Sequence, residues 1–180
     1  PFRLYTHWTT SYSFDAKTVV DIPSSVYDPD NDTTTSAFTI TIWAYHIDQY
    51  SGSLKHQTVI AVGITPLIHY RYDGGDTTSN KLGGQRLTRK SPLNKWTLYA
   101  ITRPMNSSSV TIYIIDNTGT DITTPPTGFS DKPSAINSLG RMNPRVSNDY
   151  RGFAGTISDF RYYNYELTFT EVSSIYNELQ

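Results

Sequence analysis

The chain has 180 residues, a formal net charge of -1 and no cysteine. That size suits one domain able to bury a core without staples, and the missing cysteines exclude a disulfide framework and thiolate metal sites. The near-zero charge gives no global field to draw nucleic acid, no apolar run approaches the roughly 20 residues of a membrane helix, and no signal peptide is visible.

The residue mix is rich in Thr, Ser, Tyr and Asn and poor in Glu, Lys, Met and Ala, which favours strands and turns over helices. The chain starts at Pro1 rather than Met, and a module of a longer protein is expected. "AFTITIWAYHI" (37–47) alternates strictly: Phe38, Ile40, Ile42 and Ala44 point one way, Thr39, Thr41, Trp43 and Tyr45 the other. Period two predicts a strand. "TVIAVGI" (58–64) is a more continuous apolar run and predicts a central strand. "LIHYRY" (67–72) follows Pro66 and stops at "DGGD", where glycine accepts the positive φ of a turn. The basic run "QRLTRK" (85–90) reads as a solvated loop, with an anion contact as the alternative. "WTLYAITR" (96–103) and "VTIYIID" (110–116) alternate again as a hairpin, "NTG" turns the chain, and a Pro- and Thr-rich loop is predicted over 120–133. "FAGTISDFRYY" (153–163) is the last long strand. One helix follows: Thr168 and Glu171 form a capping box, and Val172, Ile175, Tyr176 and Leu179 make an apolar stripe at helical spacing. With no internal repeat and no linker, residues 1–180 read as one all-β domain, a two-sheet antiparallel β-sandwich with one short C-terminal helix.

Four stretches then resemble the LamG-like modules of the concanavalin A-like lectin/glucanase superfamily. "YSFDAKTVVDIPSS" (12–25) resembles the family's opening strand, "AFTITIWAY" its tryptophan-bearing strand with Trp43 at that position, "LNKWTLYAITRPMNSSSVTIYIIDNTG" its central hairpin, and "FAGTISDFRYYNYELTFTEVSSIY" its closing motif. The likeness runs from residue 12 to 176 and implies a jelly roll with one concave and one convex sheet. The wording "GTISDFRYYNYEL" also resembles modules of virion proteins of large algal DNA viruses. The superfamily holds sugar-binding lectins, adhesion modules, glucanases and polysaccharide lyases, so the fold alone leaves the function open.

The glucanases of this superfamily carry Glu-x-Asp-x-Glu on one strand, where alternate residues share a face and flank one glycosidic bond. That motif is absent: the glutamates are Glu166, Glu171 and Glu178, all near the C-terminal helix. Hydrolysis on aspartates would draw on Asp48, Asp73, Asp76 and Asp149 at strand ends and in loops. Lyase chemistry needs an Arg or Gln on a uronate carboxylate and a His or Tyr on the proton. His69, Arg71 and Asp73 alternate along one segment and are the catalytic candidates, with His46, His56 and Gln57 on other strands. Each also fits an ordinary hydrogen-bonded strand residue. Sugar binding asks only for aromatic faces and planar polar groups. Tyr45, His46, Arg71, Tyr99, Arg103 and Tyr163 are the candidate ligand contacts, though at least half of the 14 tyrosines must serve packing instead.

"YDPDNDTTT" places Asp28, Asp30 and Asp32 at alternate positions, like the start of a calcium loop. An EF-hand would want Gly and Glu where Thr33 and Thr39 stand, so an Asx-rich turn competes with a Ca2+ site. The resemblance implies a structural calcium held by an Asp of the closing motif, but Ser158 occupies that position and the acid has moved to Asp159. Asp15 is a further acidic candidate. There is no P-loop, dinucleotide fingerprint, nucleophile elbow or zinc spacing. Asn31 and Asn106 begin glycosylation sequons. The expected function is recognition of cell-wall or surface polysaccharide on the concave sheet, with a polysaccharide hydrolase or lyase and a structural or protein-binding module as alternatives. No cofactor is required beyond a candidate Ca2+. The expected partners are glycans and other domains of the same polyprotein or virion, with neither nucleic acid nor membrane. The setting is extracellular, at a cell surface or in a virion.

Overall fold

The computed structural model of the chain describes residues 5–8, 11–15, 20–23, 26, 32–47, 56–62, 65–72, 78–82, 85–90, 94–124, 132, 136–140 and 152–178. Within these, residues 5–8, 15, 56–58, 61–62, 65–72, 78–82, 85–90, 123 and 137 are described as backbone. The strands in chain order are β1 (Tyr5–Trp8), β2 (Tyr12–Asp15), β3 (Val20–Asp21), β4 (Phe38–His46), β5 (His56–Val62), β6 (Thr65–Tyr72), β7 (Thr78–Leu82), β8 (Gln85–Lys90), β9 (Trp96–Arg103), β10 (Thr111–Asp116), β11 (Gly119–Thr123), β12 (Ile136–Leu139) and β13 (Ala154–Tyr163). Among the described residues one helix, α1 (Phe169–Glu178), follows.

The strands form two antiparallel sheets. One runs β1-β13-β4-β9-β10-β11, with β2 pairing β13 beside β1; the other runs β3-β12-β5-β6-β7-β8. The sandwich with a short C-terminal helix therefore stands as the sequence predicts. Five elements differ from that reading, among them β7, whose segment shows no strand pattern. The basic run 85–90 is strand β8 rather than a loop, and β11 occupies the start of the expected Pro- and Thr-rich loop. β1 and β12 carry too few residues to show a period.

Alternation decides what enters the core. Phe38, Ile40, Ile42 and Ala44 of β4, Tyr99 and Ile101 of β9, and Ile112 and Ile114 of β10 join Val59, Ile60, Ile136 and Leu139 of the second sheet in one buried cluster. The opposite side of the first sheet carries a second cluster, Trp43, Leu98, Ala100, Tyr113, Ile115 and Tyr163, closed by Leu167, Val172 and Ile175 at and before α1. This sheet is thus apolar on both faces over part of its area, because a helix covers its outer side.

Two local devices set that outer side. β13 carries a bulge: Ser158 pairs with Trp43 and Arg161 with Thr41, so two residues oppose the single Ile42. Asp159 sits there with φ +52, as a bulged residue does. The bulge keeps Ile157, Phe160 and Tyr162 all in the core, which strict alternation would forbid. The segment before α1 docks through Thr39, whose hydroxyl donates to the Tyr165 carbonyl (2.9 Å) and accepts from the Leu167 N–H (2.8 Å). α1 then starts on the predicted capping box: Glu171 Oε2 accepts from the Thr168 N–H (2.8 Å) and hydroxyl (2.9 Å), and the Glu171 N–H donates to Thr168 Oγ1 (3.3 Å). Val172 and Ile175 are buried and Tyr176 half-buried, as their spacing predicts; Leu179 lies outside the described residues.

Candidate functional site

Where α1 ends its cover, the outer face of the seven-stranded sheet opens into a cleft of about 330 Å³ lined by Tyr45, Asn94, Lys95, Trp96, Asn117 and Tyr176. Each comes from a place the ladder fixes. Tyr45 is on the outward set of β4, and its register partner on β9 is Trp96. Their rings meet edge to face, centroids 5.6 Å apart at 61°. Trp96 is 42% exposed, unusual for an indole that touches another ring.

The rest of the wall is held by turns and by α1. Asn94 takes φ +55 and donates its N–H to the His46 carbonyl at 2.8 Å, tying the approach to β9 onto the end of β4. Asn117 is the exposed tip of the β10–β11 turn. That turn is built by Asp116, whose Oδ1 accepts from the Thr118 N–H (2.7 Å) and hydroxyl (2.6 Å), a local side-chain bond that suits Asp to turns. Tyr176 stacks on Trp43 at 5.2 Å and 18°, which seats α1 along the cleft. Beneath Tyr45, Gly155 has φ +146, and a Cβ there would overlap the Tyr45 carbonyl oxygen, so only glycine lets β13 pass so close.

Chemically, the cleft offers rings with polar groups beside them. Among the described residues, none hydrogen-bonds the Tyr45 hydroxyl, the Trp96 indole N–H, the side-chain amides of Asn94 and Asn117, or the Lys95 ammonium. A cluster of rigid rings and uncommitted polar groups is the usual make-up of a small-ligand site.

Of the residues singled out from sequence, Tyr45 lines this cleft, while His46, Tyr99, Arg103 and Tyr163 go elsewhere. His46 is 1% exposed and its ring stacks on Phe153 at 5.7 Å. It continues the inward set of β4, so alternation sends it to the core. Tyr99 is core for the same reason on β9. Arg103, fully buried, donates from Nε to the Ser36 carbonyl (2.7 Å) and from Nη2 to the Thr33 carbonyl (3.1 Å), with its guanidinium 4.7 Å from the centre of the Phe38 ring. It clamps the loop before β4 rather than facing a ligand. Tyr163 is 8% exposed, set edge-on to Tyr165 beneath the approach to α1. Burial raises the Tyr163 phenol above its ordinary pKa, with Arg161 opposing.

His69 and Arg71 lie on β6, opposite Thr58 and His56 of β5 and Lys81 and Ser79 of β7. The backbone therefore brings His56, His69 and Arg71 to neighbouring rungs of the second sheet, away from the cleft. Asp73, Asp48, Asp76 and Asp149 lie outside the described residues. So do Asp28 and Asp30; Asp32 is described and half-buried. Among the described residues no three His, Asp or Glu side chains are grouped to hold a metal.

The closing motif's acid is also committed. Both Asp159 oxygens accept from Arg161 Nε at 3.1 Å, and Arg161 Nη1 reaches Glu178 Oε2 at 2.8 Å. Burial would lower the Arg161 pKa, but its bonds to Asp159, Tyr163 and Glu178 outweigh that and raise it. A carboxylate occupied on both oxygens by a guanidinium does not fit a calcium ligand.

Sequence missed Trp96, Asn94, Lys95, Asn117 and Tyr176 as site residues. The outward parity of Tyr45 was readable, but its pairing with Trp96 depends on a register between strands 50 residues apart, and no local signal fixes it.

This architecture defines a class, the two-sheet lectin-like sandwich. Residues 21–173 match a laminin G-type family of the concanavalin A-like lectin/glucanases superfamily, and the chain belongs to that superfamily. A comparison with curated proteins finds no match. Among solved structures, domain 4 of AbnA, a GH43 extracellular arabinanase from Geobacillus stearothermophilus, in complex with arabinotriose, is similar at TM-score 0.55 and 16% identity, over 97% of this chain and 81% of that one. A mutant of NanB sialidase from Streptococcus pneumoniae is similar at TM-score 0.58 and 15% identity, over 94% of this chain and 27% of that one. Botulinum neurotoxin type C, whose cell entry depends on interaction with two ganglioside molecules, is similar at TM-score 0.52 and 14% identity, over 99% of this chain and 47% of that one. At these identities the likeness concerns the fold, and the chain spans about a quarter of the sialidase and half of the toxin chain.

Proposed function

We propose that the protein is a carbohydrate-binding module that engages cell-wall or cell-surface polysaccharide through the Tyr45–Trp96 cleft. The observation that carries this is the pair of rings in edge-to-face contact, half-open to solvent, beside two amides and an ammonium that bond no described residue. Sugars present C–H patches to aromatic faces and hydroxyls to planar amides. The similar structures give the reading a setting: one was solved with arabinotriose and another belongs to a toxin that depends on gangliosides. The proposed binding face is the outer face of the seven-stranded sheet rather than the strands around His46 and Arg71. The rings, amides and ammonium that line the cleft among the described residues are groups that hold a sugar, which supports binding; hydrolysis would call for a carboxylate pair. A secreted, surface or virion setting suits such a module.

A glycan array probed with the wild-type protein and with Trp96→Ala tests this. Removing an anchoring indole is expected to weaken every glycan signal at least about tenfold, with the melting curve little changed. Signals that survive in Trp96→Ala would place the sugar elsewhere on the molecule.

A further inference from the structure

The described lining of the cleft carries one charged side chain, Lys95. It is exposed, and it forms no ion pair or hydrogen bond with any described residue. The backbone on both sides of it is fixed: Asn94 is bonded to the end of β4, and Trp96 is already in the β9 ladder against Tyr45. The ammonium is therefore tethered within one residue of each of two lining groups, Asn94 and Trp96. No carboxylate stands among the described lining residues to neutralise it. The chain as a whole has a net charge of -1 and draws anions only weakly if at all, so any preference for acidic ligands has to arise locally.

We propose that the cleft selects anionic sugars, with the Lys95 ammonium taking the carboxylate or sulfate while Trp96 and Tyr45 hold the ring. The inference rests on the sugar-binding reading of this cleft and adds the class of sugar. Lysine suits the role: its compact, mobile charge pairs with either anion without demanding the planar geometry that arginine imposes. Asn94 and Asn117 supply donors and acceptors for neighbouring hydroxyls. Because the site is open, the contribution of the charge is modest, about three- to tenfold in affinity at low salt, and salt suppresses it.

The test measures binding to two neutral polysaccharides, galactan and arabinan, and to two anionic ones, polygalacturonate and a sulfated galactan, at low salt and at about 0.5 M NaCl, where screening is strong. The proteins are the wild type, Lys95→Gln, Lys95→Arg and Trp96→Ala. The expected result is tighter binding to at least one anionic polymer over its neutral counterparts, lost in Lys95→Gln, kept in Lys95→Arg and erased by salt. Comparing the carboxylated with the sulfated polymer identifies which anion is meant. Equal affinity for neutral and anionic polymers, or a preference that survives Lys95→Gln, would overturn the inference; if Trp96→Ala still abolishes that binding, the sugar-binding reading stands alone. Failure of the wild type to bind any of the four would overturn both.

Discussion

The outer face of the seven-stranded sheet has two halves with the same kind of residue and opposite fates. Trp43 and Tyr45 are two positions apart on β4 and share a face. Trp43 is 4% exposed, stacked against Tyr176 under α1, while Tyr45 is half-buried and opens with Trp96 into the cleft. Tyr113 and Tyr163 join Trp43 in the covered half. What separates a packing aromatic from a contact aromatic here is where α1 stops, which is a property of the fold rather than of either residue. Tyr176 serves both halves, closing one and walling the other.

The comparison is tested most severely by truncating one tryptophan from each half. Trp43→Ala should cost about 3–5 kcal/mol, as for other buried aromatics. Trp96→Ala should stay within about 1 kcal/mol, because much of its indole is already in water. Denaturant melts of the two variants measure this, and similar losses would mean that the halves do not differ as described. Next, Thr39→Val removes the hydroxyl that bridges Tyr165 and Leu167 ahead of α1. Leaving the buried Leu167 N–H without its acceptor should cost about 1–3 kcal/mol, and acrylamide quenching should rise as Trp43 loses its cover. An unchanged melting curve would show that α1 holds without this latch.

A smaller effect concerns pH. Burial raises the Tyr163 phenol above its ordinary pKa of 10.0. As pH climbs past that value the unfolded chain gives up this proton before the folded one does. Stability from this group is therefore complete below pH 10 and declines until the raised folded value is passed. Tyr163→Phe should lose less stability than the wild type between neutral pH and about pH 11. Parallel losses in the two proteins would show that Tyr163 titrates like a solvated phenol.

Much of the fold was legible because its strands pack on two sides under a strict period. β4, β9 and β10 announce themselves by alternation, and α1 by a capping box that forms as the residue types require. β7 and β8 were not legible as strands, since "TSNKL" and "QRLTRK" have no apolar set to alternate. The bulge at Asp159 was not legible either: only its consequence shows in the sequence, with Ile157 and Phe160 both apolar three positions apart. For the site, parity alone sends His46 and Tyr99 inward and Tyr45 outward. Parity does not tell Tyr45 from Trp43, because the landing of α1 depends on contacts between residues more than 120 positions apart. Arg103 looked like a ligand contact because arginine at a strand end usually reaches solvent; the loop carbonyls of Thr33 and Ser36 draw it inside instead.

The central claim is that the open half, and not the covered half, meets the ligand. The chain has three tryptophans, so a nitrogen-edited proton NMR spectrum resolves their indole signals, and loss of a signal in Trp96→Phe and in Trp43→Phe assigns the two of interest. Titrating with an oligosaccharide that scores on the array should shift or broaden the Trp96 signal while the Trp43 signal stays in place. Binding with the Trp96 signal unmoved would contradict the account.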